Sequence, residues 1–258
     1  MKKLLVLITQ IFFFFSINGQ KIQYDIDTLT VEDGLSHDAI TSIIRDSQGF
    51  MWFSTQLSGL QRYDGYEWKN YRCNPTSPSS LSSDVTWGIV EDNDGAFWIA
   101  TSSGLNRLYP DTDLVMHYYD HEDSEGGNDY RFLYLDQKGN VWAGTRSSLK
   151  HFKPASKNFT QYVLDPAKKT GIGINWPYCV LEDRDGTFWV GTSNGGLYKL
   201  DRDHGTLARY PIDPTDSTSL CNTVVCLYED QSGTLWLGTY QGLYMFDRRN
   251  LTFTRVLN

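Results

Sequence analysis

Three features of the sequence predict an all-β fold, a β-propeller of four-stranded blades. One phrase occurs five times, its period is just under fifty residues, and each copy is strand-like rather than helical. The phrase is clearest at Glu182–Asp201, EDRDGTFWVGTSNGGLYKLD. Its tryptophan marks the copies at Trp52, Trp98, Trp142, Trp189 and Trp236, which by subtraction lie 46, 44, 47 and 47 residues apart. Four-stranded units of this size bury both faces when they stack radially against one another.

The chain begins with Lys2 and Lys3 and an apolar run from Leu4 to Ile17, interrupted by Thr9, Gln10 and Ser16. Such a run is short of the roughly 20 residues that span a bilayer, so residues 1–20 are expected to be a signal peptide on an exported, periplasmic protein. An uncleaved anchor is the alternative. Residues 21–258 then form the propeller segment. Residues 22–30 alternate Tyr24, Ile26 and Thr28 and are expected to form an N-terminal strand. The repeats run over 39–71, 85–118, 130–162, 178–210 and 224–256, each with four strands of about five residues. The linkers 74–81 and 213–220 share their chemistry, NPTSPSSL against DPTDSTSL, and should be structured loops of the repeat.

Each recurrent residue has a structural task. Asp46, Asp92, Asp136, Asp183 and Asp230 stand three before a glycine, the pattern of a type I turn whose carboxylate caps backbone amides. The tryptophan should pack between neighbouring sheets and bury about 150–250 Å². Two residues further on, Ser54, Ala100, Gly144, Gly191 and Gly238 leave room for a close backbone approach. Thr55, Thr101, Thr145, Thr192 and Thr239 follow and should satisfy a loop amide. Gly59, Gly104, Gly196 and Gly242 permit positive φ, whereas Ser148 in the third repeat should strain or rebuild that turn.

The phrase L-S-x-x-x-V-x-x-I-x-x-D-x-x-G-x-x-W-x-G-T-x-x-G-L resembles the two-component regulator propeller repeat. Leu35 to Leu60, Leu81 to Leu105 and Leu220 to Leu243 follow it nearly throughout; residues 175–197 do so from the strand onward, and 129–149 with the glycine lost. The resemblance implies the periplasmic sensor part of a bacterial hybrid histidine kinase, many of which respond to polysaccharides. That family uses more than five repeats, followed by membrane and kinase parts not found in this chain. Residues 22–30 resemble a fourth strand left without its blade, so the propeller is expected to be incomplete and open, as in a truncated product. A five-bladed ring with a spare strand is the alternative.

Function should lie where the repeats differ, at the starts of the first strands and in the second-to-third-strand loops. The candidate ligand-binding residues are His37, Trp87, Arg131, Arg146, Trp176, Tyr178, Asn194 and Tyr240; Asp38, Asp84, Asp129, Asn222 and Gln56 share that face. Aromatic faces with amide and charged partners suit a sugar. The expected partners are an oligosaccharide, and a second copy or downstream sensor and kinase parts. A formal charge of −8 argues against nucleic acid. No cofactor, metal site or catalytic group is expected; His117 and His121 beside acids offer a loop metal site only if their geometry closes, and Asp92-Asn93-Asp94-Gly95 lacks the rest of a calcium loop. The expected class is a non-enzymatic binding module, with a carbohydrate-active propeller enzyme, a glycosidase or lyase, as the alternative. Cys179 and Cys226 occupy matching repeat positions whose strands diverge, so buried free thiols are expected there rather than a bridge.

Overall fold

The computed structural model describes residues 28–120, 128–146, 148–153, 156–164 and 175–256. The expected leader and residues 22–27 of the N-terminal strand lie outside these. Residues 28–30 are described and are not strand. Thr30 instead caps a short 3-10 helix, Val31–Asp33, its hydroxyl accepting from Glu32 N while the Asp33 carboxylate takes Thr30 N at 2.8 Å.

Among the described residues, twenty strands form five antiparallel four-stranded sheets, each in sequence order. Blade one is β1 (Ile40–Arg45), β2 (Met51–Thr55), β3 (Leu60–Tyr63) and β4 (Trp68–Tyr71). Blade two is β5 (Thr86–Glu91), β6 (Phe97–Thr101), β7 (Gly104–Tyr109) and β8 (Leu114–Tyr118). Blade three is β9 (Phe132–Leu135), β10 (Val141–Gly144), β11 (Ser148–Lys153) and β12 (Asn158–Val163). Blade four is β13 (Pro177–Glu182), β14 (Phe188–Thr192), β15 (Leu197–Asp201) and β16 (Thr206–Tyr210). Blade five is β17 (Val224–Glu229), β18 (Leu235–Thr239), β19 (Gly242–Asp247) and β20 (Thr252–Val256).

The blades pack in order through their first strands, β1 on β5, β5 on β9, β9 on β13 and β13 on β17. Among the described residues no comparable packing joins β17 to β1, so the propeller is an open arc. Its two ends show it. Leu60, Leu105, Leu149 and Leu197 face the next blade and are 0% exposed, while the matching Leu243 of blade five is 41% exposed. At the other end Ile43 is 53% exposed, where the matching Ile89 is 2%.

The tryptophans hold the interfaces: the Trp52 ring lies 4.3 Å from Phe97 of the next blade and Trp142 lies 4.5 Å from Phe188. The turn aspartates cap amides as expected; Asp46 Oδ1 takes Gln48 N and Phe50 N at 3.0 and 2.8 Å. The structure adds a bond that the spacing did not reveal. The other carboxylate oxygen of each turn accepts the indole N–H of its own repeat's tryptophan, at 2.8, 3.0, 3.0, 2.8 and 2.7 Å for Trp52, Trp98, Trp142, Trp189 and Trp236. One carboxylate therefore fixes both the turn and the large ring that fills the interface.

The threonines close the second-to-third-strand loops. Thr55 Oγ1 donates to Gly59 O at 2.8 Å and accepts from Ser58 N at 2.9 Å, and Thr101, Thr145, Thr192 and Thr239 do the same in their blades. Blade three keeps this closure with Ser148 in the glycine's place, adding a 3.1 Å contact between the Thr145 and Ser148 hydroxyls. Gly59 has φ +72°, and a Cβ there would sit 2.2 Å from Tyr71 O. Gly59→Ala is expected to cost at least about 2 kcal/mol, read as a lowered urea midpoint; an unchanged midpoint would show that the turn relaxes freely.

The small residue before each threonine serves a side chain more than a backbone, correcting the expectation. A Cβ on Gly144 would meet the Phe132 ring at 1.9 Å, and on Gly191 the Cys179 Sγ at 2.5 Å and then Val224 of the next blade. All four cysteines are free. Burial pushes the Cys179 thiol well up. Cys226 is not buried as expected but exposed, because its place on blade five corresponds to one that a following blade covers.

Candidate ligand-binding site

The residues that vary between blades gather at one end of the arc's axis, where the first strands begin and the second-to-third-strand loops turn. Five residues before each turn aspartate stand Thr41, Trp87, Arg131, Tyr178 and Val225. In four blades this residue sits at a register shift, between Ile40 and Ser42, Thr86 and Gly88, Pro177 and Cys179, and Val224 and Cys226. A bulge of this kind leaves one residue out of the ladder and re-aims its side chain. The fold thus supplies a repeated pedestal, and the sequence places a different side chain on each.

Around this mouth the structure brings together four of the candidate residues through a fifth. The Arg131 guanidinium lies 4.2 Å from the centre of the Trp87 ring, and that of Arg146 lies 5.7 Å from the Trp176 ring. Asp129 joins them: its Oδ2 accepts Arg131 Nη2 at 2.8 Å and Arg146 Nε at 2.9 Å. The result is an indole–guanidinium–carboxylate–guanidinium–indole chain across blades two, three and four. Trp176 is set by the neighbouring loop, its N donating to Ser193 Oγ at 2.9 Å and its O accepting from Ser193 N at 2.8 Å. Among the described residues, the buried Asp129 Oδ1 and the indole nitrogens of Trp87 and Trp176 find no hydrogen-bond partner. Tyr178 extends the chain toward blade five. Burial pushes its hydroxyl above the ordinary phenol range, and the neighbouring Tyr240 adds to the rise.

Two candidates stand apart. His37 Nδ1 accepts Ala39 N at 2.8 Å, which commits it to its own turn. Asn194 Nδ2 donates to the adjacent Ser193 Oγ at 3.2 Å. Asp84 and Asn222 are loop fasteners rather than ligand groups: Asp84 takes Cys73 N, and buried Asn222 bonds Ile212 N, Asp213 O and Asp216 O. The described residues of the two possible metal loops are also committed elsewhere. His117 Nε2 bonds Ser80 O at 2.6 Å and Nδ1 bonds Tyr119, while His121 lies outside the described residues. Asp92 and Asp94 are both held by Arg107, at 2.7 and 2.9 Å.

A cavity of about 810 Å³ lies away from this mouth. It is a crevice between blades four and five on the turn side, lined by Asp185, Trp189, Lys199, Phe246 and Arg248. A second crevice of about 450 Å³ occupies the matching place between blades three and four. Because it recurs with the repeat, this crevice follows from how blades stack. Its aspartates are part of the scaffold. Burial alone would raise the Asp136 pKa, but bonds from Asn140 and Trp142 outweigh it and hold the carboxyl below its ordinary value; bonds from Ser232 and Trp236 depress Asp230 strongly. Groups depressed in the folded state stabilise it above the unfolded pKa of about 3.9. These carboxylates are therefore expected to make stability fall as pH drops below about 4. Urea midpoints at pH 7, 5 and 3 measure this, and a midpoint unchanged at pH 3 would contradict it.

Four segments, residues 34–56, 80–103, 171–194 and 218–241, match the family model of the two component regulator propeller. Four of the five blades thus carry a segment matched as a two-component regulator propeller repeat. The third copy, whose glycine is replaced by Ser148, is outside the matched segments. The fold is similar to the extracellular domain of the hybrid two component system BT3049 from B. thetaiotaomicron, with TM-score 0.74 and 28% identity, over 88% of this chain and 31% of that one. It is also similar to the extracellular domain of BT4673 from the same organism, TM-score 0.67 at 22% identity, over 87% and 30% of the two chains. A 67-residue stretch, 26% of this chain and 5% of the relative, is 34% identical to histidine kinase P4 of Formosa agariphila. Virginiamycin B lyase from Staphylococcus aureus shares the fold at 12% identity, TM-score 0.64, over 84% and 69% of the two chains. The chain thus spans less than a third of the two-component relatives it matches.

Proposed function

We propose that this chain is an exported ligand-sensing propeller segment and that its ligand is a carbohydrate held at the mouth by Trp87, Arg131, Arg146, Trp176, Tyr178 and Tyr240. The observation that carries the reading is the contrast between positions. Turn aspartates and tryptophans recur in every blade and bond each other, and the recurrent threonines close their own loops, whereas the bulge and loop positions differ and assemble one aromatic and charged chain. Indole and phenol faces stack on sugar C–H surfaces, and guanidinium and carboxylate groups bond hydroxyls. The extracellular location named for the two B. thetaiotaomicron relatives supports export. Likeness to the lyase is one of fold alone. A binding segment would act through sensor, membrane and kinase parts like those of the relatives, or through a second copy.

A glycan-binding screen paired with a product assay on the full chain tests this. Trp176→Ala with Arg146→Ala is expected to weaken binding of the best glycan by about a hundredfold, as two contacts of about 1–1.5 kcal/mol each are lost. Unchanged affinity discards this face, and turnover of the glycan replaces the sensor reading by the enzyme reading.

A further inference from the structure

The charge at the mouth is unbalanced. Arg131, through Nε and Nη2, and Arg146, through Nε, all bond the same oxygen of Asp129. Two guanidiniums therefore share one carboxylate, a formal surplus of one positive charge in a chain whose net charge is −8. Arg146 is the less committed of the two. Its side chain is 55% exposed, and among the described residues its terminal Nη groups have no hydrogen-bond partner. A guanidinium with its fork open is the side chain best matched to a carboxylate, which it binds through two parallel bonds.

Resting on the glycan reading above, we propose that the mouth is built for an acidic sugar, a uronate-bearing oligosaccharide, with the carboxylate on Arg146 and a sugar face on Trp176. A neutral glycan leaves the surplus charge unanswered, and a small inorganic anion makes no use of the aromatic groups that continue through Tyr178 to Tyr240. Arg146 lies over the Trp176 ring in the free protein. Drawing its fork toward a ligand carboxylate opens that ring for stacking and leaves Arg131 bidentate on Asp129. Asp129 is thus a positioning residue, and Arg146 is the group that distinguishes acid from neutral sugar.

Calorimetric titration of the full chain with tetramers of galacturonate, glucuronate and mannuronate, and with the carboxyl-reduced neutral form of each, tests this. A sulfated neutral tetramer and sodium acetate are the comparison anions. At least one uronate tetramer is expected to bind about tenfold or more tightly than its reduced form, an advantage that shrinks as salt screens it. Arg146→Gln should bring the two forms within about twofold while leaving the urea midpoint unchanged; Arg146→Lys should restore part of the gap. Equal or tighter binding of the reduced forms overturns the acid assignment but leaves the glycan reading standing. Preference for the sulfated tetramer, or for acetate, overturns the uronate assignment. Binding of none of the saccharides defeats the glycan reading and this inference together.

Discussion

Replacing Trp142 by alanine is expected to lower the unfolding free energy by about 3–5 kcal/mol. The ring is 1% exposed, stacks on His151 at 4.5 Å and meets Phe188 of the next blade at 4.5 Å. Its removal opens a cavity in the seam between blades three and four and strips a donor from Asp136. Trp236→Ala is the matched control. That ring keeps its Asp136-like bond, to Asp230, but stands on the open end of the arc and is only half-buried. Its loss should cost about 1–2 kcal/mol. Urea unfolding of the two variants side by side measures the difference. Equal losses would mean that blade stacking contributes little and that each tryptophan works within its own sheet.

Asp183→Ala should be as damaging, again by about 3–5 kcal/mol. The carboxylate is buried at the seam between blades four and five, where it accepts Thr187 N at 2.8 Å and the Trp189 indole at 2.8 Å, and pairs with Arg248 of the next blade. Deleting it leaves an indole N–H unpaired and the half-buried Arg248 with only Glu229 and Asp185 as counter-charges. A second change, Arg248→Met, should recover part of the loss, since it removes the cation that the first change strands. If the double variant is less stable than the single by the full cost of Arg248→Met alone, the two residues act independently and the seam is not held by their pairing.

The fold was legible because one phrase repeats, and five copies separate scaffold from variation in a way one copy cannot. Glu182–Asp201 looks like chemistry when read alone; its aspartate, tryptophan and threonine recur in every blade, where the aspartate holds the indole and the threonine closes the loop. The aspartate–indole bond itself was not legible. It joins residues six apart that meet only once β13 and β14 have paired back across the turn, which no local spacing encodes. The mouth was half-legible. Loop position identified Arg146, Trp176 and Tyr240, but the bulge that turns Trp87 and Tyr178 out of the ladder is a register effect, visible only in the paired sheet. Asp129 shared the predicted face without standing among the ligand residues, because its role comes from two arginines reaching one oxygen. His37 shows that a polar residue in a loop first answers its own backbone, here Ala39 N.

The claim that ligand binds where the blades differ, and not in the crevice where they repeat, can be read directly by hydrogen–deuterium exchange on the full chain with its best-binding glycan. The account predicts slowed exchange in segments around Trp87, Asp129–Arg131, Arg146 and Trp176–Tyr178. Slowed exchange confined to the crevice, around Arg184–Thr187 and Met245–Arg249, would contradict it.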